Sequence, residues 1–174
     1  MNKLILHVPS FEELKYRQLI LSQEDTMSYN KGYNLGIENY NNETGCIDFS
    51  KKYWSEWYSK WISERVNMYY AYILNIKTDE FVGDVCFYYD PSNDLHRIGI
   101  VIESKHRCRG YCTKGLLKLA ATAFNDFDVR VLRNVIPLDR KSAIKGHKSA
   151  GFKEVDIDSN FITLDLLKSE YLSN

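Results

Sequence analysis

The apolar and polar residues of the chain follow one another in runs whose periods predict strands and helices. Strands are predicted over residues 3–8, 67–76, 81–89, 95–103, 129–136, 152–157 and 161–167, and helices over 11–21, 51–65, 113–124 and 140–150. Residues 22–49 have no sustained period, and we expect loops with short helical turns there. Short turn-like links join the three middle strands, which predicts an antiparallel meander.

The third strand of this meander should lie at the centre of a sheet, because it is apolar on both faces. Ile98, Ile100 and Ile102 alternate with Val101 along it. Gly99, in the interior of the same strand, indicates either a β-bulge or a close approach by another group.

The helix predicted over residues 51–65 begins after Ser50, a residue type that often caps helix N-termini. Its large aromatic side chains recur at helical spacing and share one face: Trp54, Trp57, Tyr58 and Trp61. Such a stripe either packs on the core or lines a substrate site along one edge, and the pattern leaves both interpretations open.

Composition narrows the class of protein without identifying it. The chain has 174 residues, 44% hydrophobic and 26% charged, which suits one globular domain over residues 1–174. A formal net charge of zero argues against a nucleic-acid partner. No apolar run approaches the roughly 20 residues of a membrane span, and the N-terminal apolar stretch is too short for a secretory signal. We therefore predict a cytoplasmic protein without a membrane partner.

The four cysteines, Cys46, Cys86, Cys108 and Cys112, are expected to be free thiols, because nothing in the sequence indicates export. His106 precedes Cys108 and Cys112, but zinc sites use two short Cys or Cys/His pairs and only one is found here. We predict no metal site.

The segment with the clearest chemical signal is an apolar strand, a basic turn and an amphipathic helix over residues 98–124. Backbone N–H groups and the helix dipole at such a turn attract an anion, and Arg107 and Arg109 favour a phosphate or pyrophosphate. The same dipole should lower the pKa of Cys112. Nucleotide binding would need a parallel βαβ unit, whereas this strand ends an antiparallel meander.

Further along, the order of motifs is strand, Arg-x-x-Gly-x-small turn, helix, strand, Pro-x-Asp-x-x-Ser, helix and Gly-Phe. This order resembles the GNAT superfamily of N-acetyltransferases, above all its branch of ribosomal-protein N-terminal and small-amine acetyltransferases. The close resemblance covers residues 81–155. It implies an α+β fold with a mixed, mostly antiparallel central sheet, helices on both faces and a splayed central strand pair.

The resemblance implies acetyl-CoA as co-substrate. Residues 100–102 would pair with the pantetheine arm as with an added strand, and residues 107–113 would cradle the pyrophosphate. Asp139 and Ser142 would lie near the pantetheine and the thioester. The implied cofactor-binding set is Ile100, Val101, Ile102, Arg107, Cys108, Arg109, Gly110, Tyr111, Cys112, Thr113, Asp139 and Ser142.

His147 stands where many relatives carry the tyrosine that protonates the departing thiolate, and Ser142 matches a serine near the thioester. Glu103 is the candidate general base, with Asp94, His96 or a water chain as alternatives. Several positions depart from the family pattern: Arg97, Cys108, Cys112, Lys114 and Asp139. A non-catalytic acyl-CoA-binding or interaction module on the same fold is therefore the alternative.

An aromatic and acidic set in the first half of the chain suits a cationic acceptor, through charge and cation–π contact. Its members are Tyr29, Tyr33, Tyr40, Trp54 and Trp57 with Glu24, Asp25, Glu38 and Glu43. We predict an enzyme that transfers acetyl by direct attack of an amine, either a small molecule or a peptide N-terminus. We expect a monomer or a homodimer.

Overall fold

The computed structural model describes residues 3–171, so residues 1, 2 and 172–174 of the predicted domain lie outside it. One seven-stranded sheet with the order β1-β2-β3-β4-β5-β7-β6 organises the chain. Its strands are β1 (Leu4–His7), β2 (Met68–Asn75), β3 (Glu80–Asp90), β4 (Leu95–Ile102), β5 (Val131–Pro137), β6 (Lys153–Ile157) and β7 (Phe161–Leu167). The predicted α+β class, meander and C-terminal hairpin are confirmed.

The helices are α1 (Leu14–Ser22), α2 (Glu24–Met27), α3 (Trp54–Tyr58), α4 (Tyr111–Asp126), α5 (Lys141–Ser149) and α6 (Lys168–Tyr171). The pattern did not predict α6. Short 3₁₀ turns cover Ser28–Asn30, Lys51–Tyr53 and Ser104–His106. Within residues 3–171, every helix is too short or too polar to cross a membrane.

The helix predicted over residues 51–65 is not one regular helix. It starts as a 3₁₀ turn, becomes α3 and continues as a π-helical segment, Ser59–Glu64. Ser50 occupies the cap position, but its side chain makes no capping hydrogen bond. The wide π turn sets the Trp57 and Trp61 rings 5.9 Å apart in a stack, and both contact Tyr70 of β2. Aromatic packing on the sheet thus overrides the regular helical period.

Helices cover both faces of the sheet. On one face, α4 packs on β1, β3 and β4 and buries Leu116, Leu119, Ala120 and Ala123, as its pattern predicted. On the other face, α1, α2 and α3 form a second apolar cluster around Leu14, Ile20, Met27, Phe49 and Trp54. The aromatic stripe therefore belongs in part to the core, because Trp54 is buried.

The strand pair β4 and β5 separates soon after it forms. These two strands are the parallel pair of the sheet, and they are joined only at His96 with Leu132 and Arg97 with Arg133. On its other side β4 pairs with β3 through Ile102. Residues 98–102 therefore have strand pairing on one side only within the described chain, and the predicted splay at the centre of the sheet is confirmed.

Gly99 accommodates a close approach rather than a bulge. The β3–β4 register is continuous from Gly83 to Asp90, and the irregular step instead lies between Ile73 and Leu74 of β2. A Cβ atom on Gly99 would lie 2.9 Å from Cys86 Sγ. The glycine thus leaves room for the neighbouring thiol.

Two glycines in adjacent strands provide a test of this packing. A Cβ atom on Gly83 would lie 2.0 Å from the backbone oxygen of Val101, whereas one on Gly99 meets a side chain that can rotate. Gly83→Ala should lower the free energy of unfolding by about 2 kcal/mol more than Gly99→Ala. Urea unfolding of both variants measures the difference, and equal costs would contradict the close β3–β4 contact.

Candidate active site

The gap between β4 and β5 leaves one edge of β4 open. Ile100, Val101 and Ile102 are partly exposed there. Val101 packs against the cluster of α1 and α3, whereas Ile100 and Ile102 pack on the α4 side. Backbone N–H and C=O groups at such an edge can pair with an extended ligand as with another strand. The predicted pantetheine residues thus line an edge of suitable form.

The basic turn follows directly after this edge. Cys108 and Gly110 both adopt left-handed conformations, with φ of 60° and 75°. Gly110 is the N-cap of the 16-residue helix α4, whose first N–H groups have no acceptor within the helix. A Cβ atom on Gly110 would meet nothing within 4 Å. Turns of this form bind phosphate oxygens through backbone N–H groups, so residues 108–113 fit a pyrophosphate.

The side chain of Arg107 is engaged elsewhere. Its guanidinium donates hydrogen bonds to the carbonyl oxygens of Asp25 (3.0 Å), Thr26 and Ile102 (3.3 Å). Its backbone N–H donates to Ser104 O at 3.2 Å. Arg107 therefore fastens the α2 segment to the end of β4, and of the two arginines the exposed Arg109 is the one left for a phosphate.

A second arginine, not singled out by the sequence pattern, holds the same segment from the other side of the gap. Arg140 follows β5 and donates a hydrogen bond to Tyr29 O. Its guanidinium lies 4.9 Å from the Tyr29 ring centroid and 4.8 Å from that of Tyr33. Residues 25–29, here called the strap, therefore run from the β4 side of the gap to the β5 side. Burial raises the pKa of Tyr29 to about 12.

Asp139 and Ser142 follow β5 along the chain, in the turn before α5 and in the start of that helix. Both side chains are exposed. Asp139 Oδ1 lies 3.5 Å from the Tyr33 hydroxyl, and Ser142 belongs to the first turn of α5. Their neighbour Arg140 contacts the strap at Tyr29, so Asp139 stands next in sequence to this contact and Ser142 two positions after it.

His147 is not placed to donate a proton to a ligand. It is 1% exposed, its Nδ1 is 2.8 Å from Ala143 O, and its Nε2 is 2.9 Å from Asn134 Nδ2. This arrangement has Nδ1–H as donor and Nε2 as acceptor, so the ring is neutral. Burial lowers its pKa and favours the same state. His147 joins α5 to β5, and its assignment as the catalytic acid is replaced by this positioning role.

Glu103 directly follows β4 and lines an open cleft, with 2% of its surface exposed. Its carboxylate accepts hydrogen bonds from the Tyr16 hydroxyl at 3.2 Å and from Gln23 Nε2 at 3.0 Å. The cleft has a volume of about 420 Å³ and is lined by Gln23, Glu24, Asp25, Glu103, Ser104 and Lys105. The other base candidates are elsewhere, because Asp94 and His96 lie at or near the opposite end of β4. Asp94 there contacts Tyr89 and Arg130.

The predicted acceptor set is only partly assembled. Glu24 and Asp25 line the cleft, but Trp54 is buried and donates to Phe49 O at 3.0 Å. The Trp57 ring is covered by the guanidinium of Arg17, 4.6 Å from its centroid. These two tryptophans are therefore not available to a substrate cation. Tyr16, Arg17 and Gln23 were missed because their partners lie far away in sequence.

The cysteines also differ from one expectation. All four are free thiols, and burial raises the pKa of Cys112 to about 11, against the lowering predicted from the helix dipole. Desolvation of the thiolate outweighs the dipole because Cys112 packs against α5 near Gly146. Within residues 3–171, no group of three or more His, Cys, Asp or Glu side chains is arranged to hold a metal ion.

Most of the chain matches one family of proteins. The sequence profile described as "Acetyltransferase (GNAT) domain" matches residues 4–153. The chain belongs to the GNAT family of acetyltransferases. This GNAT protein is accordingly an acetyl-CoA-dependent N-acetyltransferase, with acetyl-CoA as its co-substrate. No curated protein matches its sequence.

Solved structures share the GNAT fold over nearly the whole chain. One is a spermidine N-acetyltransferase from Vibrio cholerae in complex with CoA and spermine, 14% identical, with a TM-score of 0.76 over 99% of each chain. Another is a GNAT-family acetyltransferase from Bacillus anthracis, 12% identical, with a TM-score of 0.73 over 96% of each chain. At these identities the likeness concerns the fold alone.

The neutral state of His147 predicts a pH dependence of stability. Between its ordinary pKa of 6.5 and its lower pKa in the fold, the unfolded chain binds a proton that the folded chain does not. Stability should therefore fall as the pH falls below 6.5, by up to about 1.4 kcal/mol per pH unit from this residue. Chemical unfolding from pH 7.5 to 5 should show a shallower fall for His147→Gln than for the wild type. An unchanged slope would contradict a buried neutral ring.

The left-handed backbone of Cys108 predicts a stabilising substitution. A side chain at positive φ costs about 1–2 kcal/mol, which glycine avoids. Cys108→Gly should raise the free energy of unfolding by about 1 kcal/mol relative to Cys108→Ala, which keeps the strain. Thermal and urea unfolding measure the pair, and equal stabilities would show that the turn tolerates a Cβ atom without strain.

Proposed function

We propose that this GNAT protein transfers an acetyl group to a primary amine, on a small molecule or a peptide N-terminus. The observation that carries the proposal is the position of the cleft between Glu24, Asp25 and Glu103, directly after the open edge of β4. Three carboxylates against one lysine favour a cationic acceptor. We also infer membership of the branch of ribosomal-protein N-terminal and small-amine acetyltransferases, and a cytoplasmic monomer or homodimer.

Different groups of residues would bind different parts of acetyl-CoA. Backbone groups of residues 100–102 would bind the pantetheine arm, and N–H groups of residues 108–113 the pyrophosphate, with Arg109 adding charge. Asp139 and Ser142 would bound the thioester from the β5 side. When bound, acetyl-CoA supplies an acetyl group on sulfur that a neutral amine can attack.

Proton transfer accompanies this exchange of a C–S bond for a C–N bond. Glu103 Oε1 accepts a hydrogen bond from Gln23 and lies 3.4 Å from the exposed Lys105 ammonium. In this scheme the acceptor ammonium takes the place of Lys105 beside this oxygen and passes its proton to the carboxylate. As the C–S bond breaks, the attacking nitrogen loses its second proton and the sulfur gains one. We assign Ser142 as the relay that carries this proton to the sulfur, directly or through water, because its side chain is exposed in the first turn of α5. In this scheme His147 orients α5.

The alternative is a non-catalytic acyl-CoA-binding module, and one observation favours it. His147, at the family's proton-donor position, is neutral and hydrogen-bonded at both nitrogens. Release of CoA thiol in the presence of acetyl-CoA and a panel of amines and peptides separates the two. Turnover with at least one amine supports the enzyme, and CoA binding without turnover across the panel supports the module.

Substitutions at two glycines of similar conformation test whether residues 108–113, the proposed phosphate turn, bind CoA. Gly110 and Gly36 have φ of 75° and 66°, and a Cβ atom on either would meet nothing within 4 Å. Gly110→Asp should weaken CoA binding at least about tenfold, because it places a carboxylate at the phosphate turn. Gly36→Asp carries the same backbone strain and should leave CoA affinity unchanged.

Thermal unfolding with CoA, acetyl-CoA and ATP gives the affinities, since a ligand of the folded state raises the Tm. The CoA compounds should raise the Tm of the wild type and of Gly36→Asp, with little effect on Gly110→Asp. Equal stabilisation of both variants would place the phosphates away from the turn.

A further inference from the structure

The face of the sheet covered by α1, α2 and α3 holds a cation provided by the chain itself, the side chain of Arg17, which is 19% exposed. Arg17 of α1 lies over β2 and β3, with its guanidinium carbon 4.6, 5.1 and 5.0 Å from the ring centroids of Trp57, Phe49 and Tyr70. Its Nη1 lies 3.2 Å from Asp84 Oδ2 and donates to the Tyr70 hydroxyl at 3.1 Å. We call these four partners of Arg17 the cation cage: Phe49, Trp57, Tyr70 and Asp84.

The chemistry of the cage is that of a receptor for an organic cation. Three aromatic rings and one carboxylate surround the charge, the combination that binds ammonium groups in proteins. Asp84 is 5% exposed at its side chain, and burial raises its pKa in opposition to the nearby Arg17. The Tyr70 hydroxyl donates to Asp84 at 2.6 Å, so the carboxylate is held firmly in place.

Arg17 fits the cage incompletely. Its Nε is buried and has no hydrogen-bond partner among residues 3–171. A buried donor without an acceptor lowers stability, so this nitrogen is a cost of placing a guanidinium here. The cage therefore matches the charge of Arg17 better than it matches the shape of a guanidinium.

The cage also adjoins the acceptor cleft. Asp84 pairs in register with Val101 of β4, at the open edge of the gap. Glu103 comes two residues after Val101 in the extended chain. At the rise per residue of a strand, the Cα atoms of Val101 and Glu103 are about 7 Å apart. Tyr16, next to Arg17 in α1, donates its hydroxyl to Glu103 and so lies between the two acidic sites.

We propose that Arg17 is a specificity-determining residue, which fills a second cation site beside the acceptor cleft and so restricts the acceptor to one cationic group. This inference rests on the proposed amine acetylation. In the wild type, the Arg17 guanidinium occupies the cage, and the cleft of Glu24, Asp25 and Glu103 is left for the ammonium of the acceptor. Removal of the Arg17 side chain opens the cage to the second ammonium.

The test uses binding first, so that it does not depend on catalysis. Arg17→Ala should have a lower Tm than the wild type, and ethylguanidinium or 1,4-diaminobutane at pH 8 should recover several degrees of it. The wild type and Arg17→Lys, which keep a cation in the cage, should gain no comparable shift. The double variant Arg17→Ala/Asp84→Asn lacks the carboxylate and should show no recovery.

If Arg17→Ala does not fold unaided, its refolding yield with and without ethylguanidinium replaces the Tm. Absence of recovery by either cation, or equal recovery in the double variant, would overturn the cage as a cation site. In the acetylation assay, Arg17→Ala should lower the KM for 1,4-diaminobutane about tenfold relative to propylamine. If Arg17→Ala binds the cations but keeps the wild-type ratio of the two KM values, the role in specificity is overturned. If the wild type itself turns over neither amine, the result counts against the proposed function instead.

Discussion

The structure depends on the early separation of β4 and β5. Only two residue pairs join these strands, and beyond them the central strand of the sheet has one open backbone edge. Buried backbone groups need partners, so an edge in the middle of a sheet must be covered by a ligand or by other parts of the chain. The basic turn of residues 107–110 follows this edge, and the strap runs from the β4 side of the gap to the β5 side. The acidic cleft opens at its end.

Local patterns predicted much of this fold, since the meander, the buried face of α4 and the turn before it depend on residues close in sequence. The splay needed the family resemblance, because nothing in the pattern of β5 shows where its pairing with β4 stops. The π-helical segment was not predictable, because it arises from the packing of Trp57 and Trp61 on a strand that follows later in the chain. Tertiary contact here outweighs the local period.

The candidate site, too, was predictable from the sequence only where its structure depends on neighbouring residues. Cys108 and Gly110 were identifiable, since their conformation follows from the turn itself. The environments of His147 and Trp57 could not be predicted, because their partners lie on other elements. Asn134 of β5 hydrogen-bonds His147, and Arg17 of α1 covers the Trp57 ring. The net charge of zero also gave no indication that acidic and basic side chains are separated around the site. Acidic groups collect at the cleft, while arginines bind carbonyl oxygens and aromatic rings around it.

The strap has a consequence for how this protein can diverge. Arg107 and Arg140 hold it through the carbonyl oxygens of Asp25, Thr26 and Tyr29, which any amino acid would offer in the same places. Beside these carbonyl groups, the buried side chains of Thr26 and Met27 hold its path over the gap, whereas Asp25 and Ser28 are exposed. Mutations at the two exposed positions can alter which molecules are admitted while the anchoring persists, so substrate preference can drift between descendants without a corresponding loss of architecture.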